Sequence, residues 1–160
     1  MKTAYGAGGS AMRKKYPIDA TFDVLAIADR PSLDRRQLTS RWTVELPVPI
    51  MCQVKNHGSL IVVGILLECC QSGDVIHGSG WVTEGLLGVT TMLPAIDADA
   101  PAGSVEGLPG GDIVTIDEWR LRSVTLRPQA GVWPEVSAMR TSRPPTDEEL
   151  HAEMAGWGLT

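Results

Sequence analysis

Two histidines are the first residues in this 160-residue chain whose type suits acid–base chemistry. His57 stands in the segment Asn56-His57-Gly58-Ser59, directly before an apolar run, and His77 stands within an alternating segment. An imidazole changes its charge near neutral pH, so either ring could accept or donate a proton. A histidine in a loop is more often a hydrogen-bonded surface residue, and one in a strand is more often a satisfied core or cleft residue. Neither histidine alone therefore indicates catalysis.

The chain has three cysteines, Cys52, Cys69 and Cys70, an odd number that leaves at least one thiol unpaired within the chain. Neighbouring residues of a strand point to opposite faces, so Cys69 and Cys70 are poorly placed to bond to each other. This favours a reducing site of synthesis, with the thiols serving as small apolar side chains. The sequence has no Cys-x-x-Cys pair, no metal-spaced cluster, no glycine-rich phosphate loop and no Gly-x-Ser-x-Gly elbow. We therefore expect no metal and no other cofactor.

The composition indicates one globular domain with no membrane or nucleic-acid role. A chain of this length buries about 70% of its unfolded surface, and 43% of its residues are hydrophobic. The net charge of -5 argues against general nucleic-acid binding. No window approaches the roughly 20 apolar residues of a membrane span. Positive charge near the N-terminus is not followed by an apolar segment, so we expect no signal peptide there.

One hairpin, at residues 59–82, is the strongest structural feature and must position any site nearby. Residues 60–67 form the longest apolar run, rich in β-branched side chains, which predicts a strand buried on both faces. Residues 71–74 have the composition of a turn. Residues 75–82 alternate between two faces. Their Gly78-Ser79-Gly80 segment predicts a sharply bent strand or a close approach of another backbone.

The flanking segments complete the prediction of a β-rich α+β fold. A short helix is predicted at residues 31–41, which begin with Pro31 and carry charged residues in the first turn. The proline- and glycine-rich residues 94–111 predict a long surface loop. Further strands are predicted at residues 21–29, 88–93, 112–117, 119–127 and 132–139, with residues 43–54 extended and the strands at 112–117 and 119–127 paired with each other.

The N-terminal residues 1–16 are predicted to be a flexible arm outside the main domain, which spans residues 17–140. This arm is rich in glycine and alanine and carries the basic cluster Arg13, Lys14 and Lys15. Such a segment is either disordered or becomes ordered on a partner with an acidic surface.

The C-terminal residues 141–160 are predicted to be a linker followed by a short helix. Thr146 and Glu149 have the spacing of a capping box, which predicts the start of a helix. Leu150, Met154 and Trp157 then fall on one side of that helix. A helix of about ten residues is not stable alone in water, so it needs a docking surface. We expect this apolar side and the basic cluster of the arm to bind partners.

Four motifs around the hairpin follow one another in an order that points to a family. They are Leu46-Pro47-Val48-Pro49-Ile50-Met51, His57-Gly58, Val62-Val63-Gly64-Ile65 and Gly73-Asp74-Val75-Ile76-His77-Gly78-Ser79-Gly80. Their order and spacing resemble the capsid maturation (prohead) serine proteases of tailed phages, especially those of actinobacterial phages. The resemblance covers about residues 21 to 136 and extends to Val24-Leu25-Ala26-Ile27, to Gly88-Val89-Thr90 and to Ser123-Val124-Thr125-Leu126.

The resemblance implies a fold similar to herpesvirus assemblins, a bent β-barrel flanked by short helices, and a degenerate catalytic site. His57 stands at the position of the catalytic base, and Thr90 stands where the family has its nucleophilic serine. Met92 replaces an acidic residue that often follows, and Arg122 and Ser123 stand where the family can place a third catalytic carboxylate. Loss of one member of such a catalytic unit costs on the order of 10⁴ to 10⁶ in rate.

Three functions are compatible with these residues, and the first is favoured. It is a structural protein of the phage head, of the minor-capsid or decoration type. Such a protein would bind the major capsid protein in homo-oligomeric or symmetry-related copies, and would be found in the virion and, during assembly, in the host cytoplasm. The second is an active maturation protease that cleaves scaffold or capsid protein segments with Thr90 and His57. The third is a small β-rich binding module for an unknown ligand.

Overall fold

The computed structural model describes residues 6–33, 35–53, 58–99, 105–107, 114–129 and 133–158. They form a β-rich α+β fold, as predicted, in which strands outnumber helices. In chain order the elements are α1 (Gly6–Lys15), β1 (Ile18–Ile27), β2 (Arg36–Leu38), β3 (Trp42–Val44), β4 (Val48–Gln53), β5 (Leu60–Ser72), β6 (Val75–Val82), a 3₁₀ helix (Glu84–Leu86), β7 (Leu93–Asp99), β8 (Val105–Gly107), β9 (Val114–Ile116), β10 (Trp119–Arg127), β11 (Arg140–Ser142) and α2 (Asp147–Gly156).

Eight of these strands form one sheet in the order β11-β1-β6-β5-β4-β10, with β3 and β7 also paired to β10. The pairs from β11 to β4 are antiparallel, whereas β3 and β4 run parallel to β10. The predicted strands at residues 21–29, 75–82 and 119–127 are confirmed as β1, β6 and β10. A second sheet has the order β2-β9-β8, so the predicted pairing of the strand at 112–117 with β10 is wrong.

The central hairpin of β5 and β6 is confirmed, but the predicted burial of β5 on both faces holds for only part of the run. Residues 63–67 are buried, whereas Leu60, Ile61 and Val62 are 48%, 50% and 49% exposed. Pairing of β5 with β6 extends no further toward the start of β5 than Gly64. The first three residues of β5 therefore extend beyond the end of β6, and that neighbouring strand does not cover them.

Two glycines of β6 confirm the predicted close approach of another backbone. A Cβ atom on Gly80 would lie 2.0 Å from the carbonyl oxygen of Ile65, and one on Gly78 would lie 2.8 Å from that of Glu68. The register of β5 against β6 shifts between Leu66 and Glu68, at this same place. Such an irregularity bends a strand and strengthens its twist. Here the backbones of β5 and β6 come so close that a side chain at Gly78 or Gly80 does not fit between them.

The predicted helix at residues 31–41 is wrong, because its described residues include a strand, β2, and no helix. Asp29 and Arg35 have φ angles of 60° and 61°, in the left-handed region that a right-handed helix does not use. The Asp29 N–H donates to the carbonyl oxygen of Leu38, which closes the chain into a tight reversal. Leu38 is buried in the core. The tertiary burial of this leucine outweighs the local signal for a helix start.

The predicted strand at residues 88–93 and the predicted loop at 94–111 are also misplaced. The strand here is β7, which begins only at Leu93 and extends to Asp99, and β8 lies further along the predicted loop. Among the described residues, β7 pairs with β10 alone, which makes it an edge strand. An edge strand tolerates Pro94, since its backbone nitrogen does not need to donate to a second neighbour.

The residues after β10 fill the core without forming the strand predicted at 132–139. Among the described residues of this segment, Trp133, Val136 and Met139 are buried together with the side chains of β1 and β10. The Met139 N–H donates to the carbonyl oxygen of Met92, and the Ser137 N–H donates to that of Val24. The apolar side chains of this segment are thus explained by their burial in the core, and not by the pairing of a β-strand.

Gly80→Ala should destabilise the protein by about 3 kcal/mol or more, because the new methyl group overlaps the Ile65 carbonyl and the backbone of β5 must move. Thermal unfolding followed by circular dichroism measures this change. Gly156→Ala is the matched control, since a Cβ there meets nothing within 4 Å and alanine favours a helix. An unchanged melting temperature for Gly80→Ala would contradict the close approach.

Val63→Asp should unfold the protein, whereas Val62→Asp should change its stability little. Val63 is 8% exposed and Val62 is 49% exposed, although the two valines are adjacent in β5. An unpaired charge in the core costs several kcal/mol, while a half-exposed carboxylate remains hydrated. Melting temperatures of the two variants measure the difference. Equal melting temperatures would show that the core does not begin at Val63.

Candidate functional site

The predicted catalytic pair is only partly described by the structure. His57 lies outside the described residues, and Thr90 lies in the segment between the 3₁₀ helix and β7. Thr90 is exposed, and its hydroxyl makes no hydrogen bond with another described residue. A threonine hydroxyl needs a neighbouring base to act as a nucleophile. Within the described part of the chain, no imidazole or carboxylate supplies that activation.

The segment that carries Thr90 is held by β11 and by the residues before it. The Gly88 N–H donates to Thr141 Oγ1 over 2.8 Å, and the backbone of Met92 accepts from Met139. Gly88 has a φ angle of 76°, a conformation that favours glycine.

Ser123, at the position where the resemblance implies a third catalytic member, is buried. A core serine in β10 is not placed as an exposed catalytic residue would be.

The other histidine of the hairpin, His77, lies in a cluster that the sequence interpretation missed. His77 of β6 is directly opposite Cys70 of β5 in the strand register. Cys70 Sγ lies 3.2 Å from His77 Nε2 and 3.5 Å from Nδ1, and Ser72 Oγ lies 3.1 Å from Nε2. We call Cys70, Ser72 and His77 the thiol–imidazole cluster. The turn at residues 73–74 pairs residue 72 with 75 and residue 70 with 77, whereas the sequence predicted only a four-residue turn at 71–74 and thus no register.

Asp23 of β1 lies beside this cluster and is bound by an arginine of β11. The Arg140 guanidinium donates to both carboxylate oxygens of Asp23, at 2.6 and 2.7 Å. This hydrogen bonding is the main reason that the pKa of Asp23 is lowered, and the nearby charge of His77 contributes in the same direction. The carboxylate therefore stays ionised at neutral pH. Three adjacent strands thus bring Asp23, His77 and Cys70 to one surface.

The basic residues of the N-terminal segment do not all lie free for a partner. Residues 6–15 form α1, where the sequence predicted a flexible arm. Arg13 forms an ion pair of 2.8 Å with Asp19 and lies over the ring of Trp81, with its guanidinium carbon 4.7 Å from the ring centroid. Lys14 and Lys15 are exposed. The expected partner-binding role of Arg13, Lys14 and Lys15 therefore stays a prediction, and Arg13 also attaches α1 to the sheet.

The tryptophans divide between the core and the surface. Trp119 and Trp133 are buried, and the ring of Trp119 stacks on that of Trp42 with centroids 5.8 Å apart. Trp157 is 66% exposed, the largest exposure among the described tryptophans. Trp157 is therefore the candidate interface anchor among the described tryptophans.

The predicted terminal helix and its capping box are confirmed in α2. The Thr146 hydroxyl accepts from the Glu149 N–H over 3.1 Å, and the Glu149 carboxylate accepts from the Thr146 N–H over 3.3 Å. No residue of α2 is buried, and Leu150 and Met154 are each 41% exposed. The apolar side of α2, formed by Leu150, Met154 and Trp157, therefore has little cover from the described part of its own chain.

Neither α-helix in the described part of the chain has the length and apolar character that crossing a membrane requires. The described residues also contain no group of three or more histidine, cysteine, aspartate or glutamate side chains able to hold a metal ion. Comparisons with known protein families, with curated proteins and with solved structures find no match for this chain. The relationship to prohead proteases thus stays a prediction from the sequence motifs.

The purified protein should show no peptidase activity that depends on Thr90, because its hydroxyl lacks an activating partner among the described residues. Cleavage of capsid-protein peptides by wild type and by Thr90→Ala, followed by mass spectrometry, measures this. The substitution should shift stability by less than about 0.5 kcal/mol, since Thr90 is exposed. Cleavage by wild type that Thr90→Ala abolishes would instead identify an active maturation protease.

Proposed function

We propose that this chain is a structural protein of a tailed-phage head, of the minor-capsid or decoration type, which binds the capsid shell. The single observation that carries a binding role is α2, a capped helix that buries none of its residues against the described part of its own chain. The phage assignment rests on the motif order around the hairpin. The proposed partner is the major capsid protein, bound by symmetry-related copies of this chain in the virion.

A docking role for α2 follows from its length and its exposed side chains. Ten helical residues gain too few hydrogen bonds to offset the cost of nucleation, so the capping box alone does not keep the helix folded. Leu150, Met154 and Trp157 offer an apolar surface whose burial would supply the missing stability. A tryptophan is a frequent anchor at protein interfaces because it buries a large area with few rotatable bonds.

The linker before α2 is attached to the main domain at its start and extended beyond. β11 pairs with β1, and Arg143 forms an ion pair of 2.6 Å with Glu84. Pro144 and Pro145 then favour an extended chain of fixed direction. This arrangement suits a segment that presents α2 to a neighbouring subunit. It also places the attachment point near the Thr90 segment, which the Gly88–Thr141 hydrogen bond ties to β11.

The main domain is proposed to be an assemblin-like bent barrel with a degenerate site. Supporting this, the sheet curls so that β1 and β7 come into contact, although no ladder of hydrogen bonds joins them among the described residues. The segment before β11 bridges the gap: Ser137 bonds to Val24 of β1, and Met139 bonds to Met92 just before β7. The exposed Thr90, without an activating partner among the described residues, supports a binding role over catalysis.

Removing residues 144–160 tests the binding role directly. This deletion keeps β11 and the Arg143–Glu84 ion pair, so the main domain should keep its melting temperature. The assay is co-sedimentation with shells assembled from the major capsid protein encoded in the same genome. We expect the deletion to abolish binding, and Trp157→Ala to weaken it about tenfold or more, as loss of an interface anchor does.

Glu148→Ala is the matched control on the same helix, because Glu148 lies outside the apolar side and outside the capping box. It should bind shells as wild type does. Binding of the deletion variant with wild-type affinity would show that α2 is not the capsid anchor. Failure of wild type to bind any capsid shell would contradict the head-protein function itself.

A further inference from the structure

We propose that Cys70 is a reactive thiol, activated by His77, which forms mixed disulfides with small disulfides that carry an ammonium group. Cys70 is exposed on the outer surface of the sheet, and the thiol–imidazole cluster places both nitrogens of an imidazole within 3.5 Å of its sulfur. The proposal concerns a modification site and does not depend on the proposed capsid role.

The geometry allows the thiol proton to move to His77 in either tautomer of the ring. A neutral imidazole carries a proton on one nitrogen and a lone pair on the other. Nε2 and Nδ1 lie 3.2 and 3.5 Å from Cys70 Sγ, so whichever nitrogen carries the lone pair lies within 3.5 Å of the sulfur. Ser72 Oγ, 3.1 Å from Nε2, helps to hold the ring. Asp23 lies on the same surface, where its carboxylate is already bound by Arg140.

The two other cysteines lack this arrangement and serve as internal references. Cys69, next in the strand, is half-buried, and burial together with the neighbouring Cys70 raises the pKa of its thiol to about 12. It therefore stays protonated and unreactive at neutral pH. Cys52 is half-buried, and its thiol donates to the carbonyl oxygen of Gln53 over 3.8 Å. Among the described cysteines, Cys70 alone combines exposure with an imidazole.

A shallow depression of about 260 Å³ beside Cys70 limits the size and charge of the reactant. Its walls include Glu68 and Asp23. Arg140 neutralises Asp23, whereas Glu68 forms no ion pair with a described residue. The remaining negative charge favours a cationic reactant over an anionic one. A disulfide with ammonium groups on short chains fits both the volume and the charge.

The proposed reaction is thiol–disulfide exchange, in which the atoms balance without an added oxidant. The Cys70 thiol gives its proton to His77, and the thiolate attacks one sulfur of the small disulfide. The disulfide bond of the reactant breaks as the new bond to Cys70 forms. The departing thiolate takes the proton back from His77 and leaves as a thiol. Cys70 is oxidised to a mixed disulfide while one half of the reactant is reduced to a thiol, so the number of disulfide bonds stays the same.

The test treats the full-length protein with cystamine at neutral pH and low ionic strength, and locates the adducts by peptide mapping and mass spectrometry. Cys70 should be modified at least about tenfold faster than Cys52 and Cys69, as expected for an exposed thiol with a neighbouring imidazole compared with two half-buried thiols. His77→Gln should slow the reaction of Cys70 about threefold or more, since no neighbouring imidazole then takes the thiol proton during the attack. His151→Gln, which removes an exposed histidine of α2, should change nothing.

Charge selectivity provides a second readout that a merely exposed thiol would not show. For each reagent, the rate of reaction with Cys70 is divided by its rate of reaction with free cysteine. This ratio should be larger for cystamine than for oxidised glutathione, and Glu68→Gln should reduce the difference between the two ratios. Modification of Cys70 no faster than Cys52 in the wild-type protein would overturn the proposal without any variant. A wild-type rate in folded His77→Gln, verified by circular dichroism, would also overturn it, because exposure alone would then explain the reaction.

Discussion

The backbones of β5 and β6 approach each other so closely at Gly64, Gly78 and Gly80 that side chains do not fit between them. This contact bends the hairpin and sets the direction in which β6 passes between β5 and β1. Ile76 and Val82 of β6 then lie fully inside the core, packed with Phe22 of β1. The same alternation directs His77 to the outer surface. Core packing and the position of the thiol–imidazole cluster therefore share one structural cause.

The segment that follows β10 completes the core where the sheet itself leaves it open. Trp133, Val136 and Met139 are buried in the core cluster. In the same segment the Ser137 N–H donates to Val24 of β1, and the Met139 N–H donates to Met92, just before β7. Since this segment has irregular backbone, it adapts to a gap that a regular strand would not fill. It leads directly into β11, which holds both Arg140 beside Asp23 and Thr141 beside Gly88. The segment after β10, with β11, thus positions residues both at the surface around Asp23 and at the surface around Gly88 and Thr90.

The surfaces proposed to act lie outside the packed core. The side chains of α2 are exposed, and the thiol–imidazole cluster lies on the solvent side of the β5–β6 hairpin. Their substitution therefore removes few apolar contacts, which separates a loss of function from a loss of folding.

Local patterns in the sequence determined β1, β5, β6, β10 and the capped helix α2. A long β-branched run, strict alternation and a Thr-x-x-Glu pair each report on burial or on hydrogen bonds within a few residues. The sequence predicted a turn at residues 71–74, and the structure placed the two-residue turn at 73–74, which sets Cys70 opposite His77. The predicted site of Thr90 and His57 came from motif order, which carries no geometry, and His57 lies outside the described residues.

Only the tertiary structure decided which distant strands meet. Residues 31–41 have the local signals of a helix, but Leu38 gains more by entering the core as part of β2. The predicted loop at 94–111 begins with β7 because β10 offers it an open edge. Asp23 and Arg140 are 117 positions apart and meet because β11 pairs with β1. Such pairings depend on packing against neighbours remote in sequence, and a strand's own residues do not specify those neighbours.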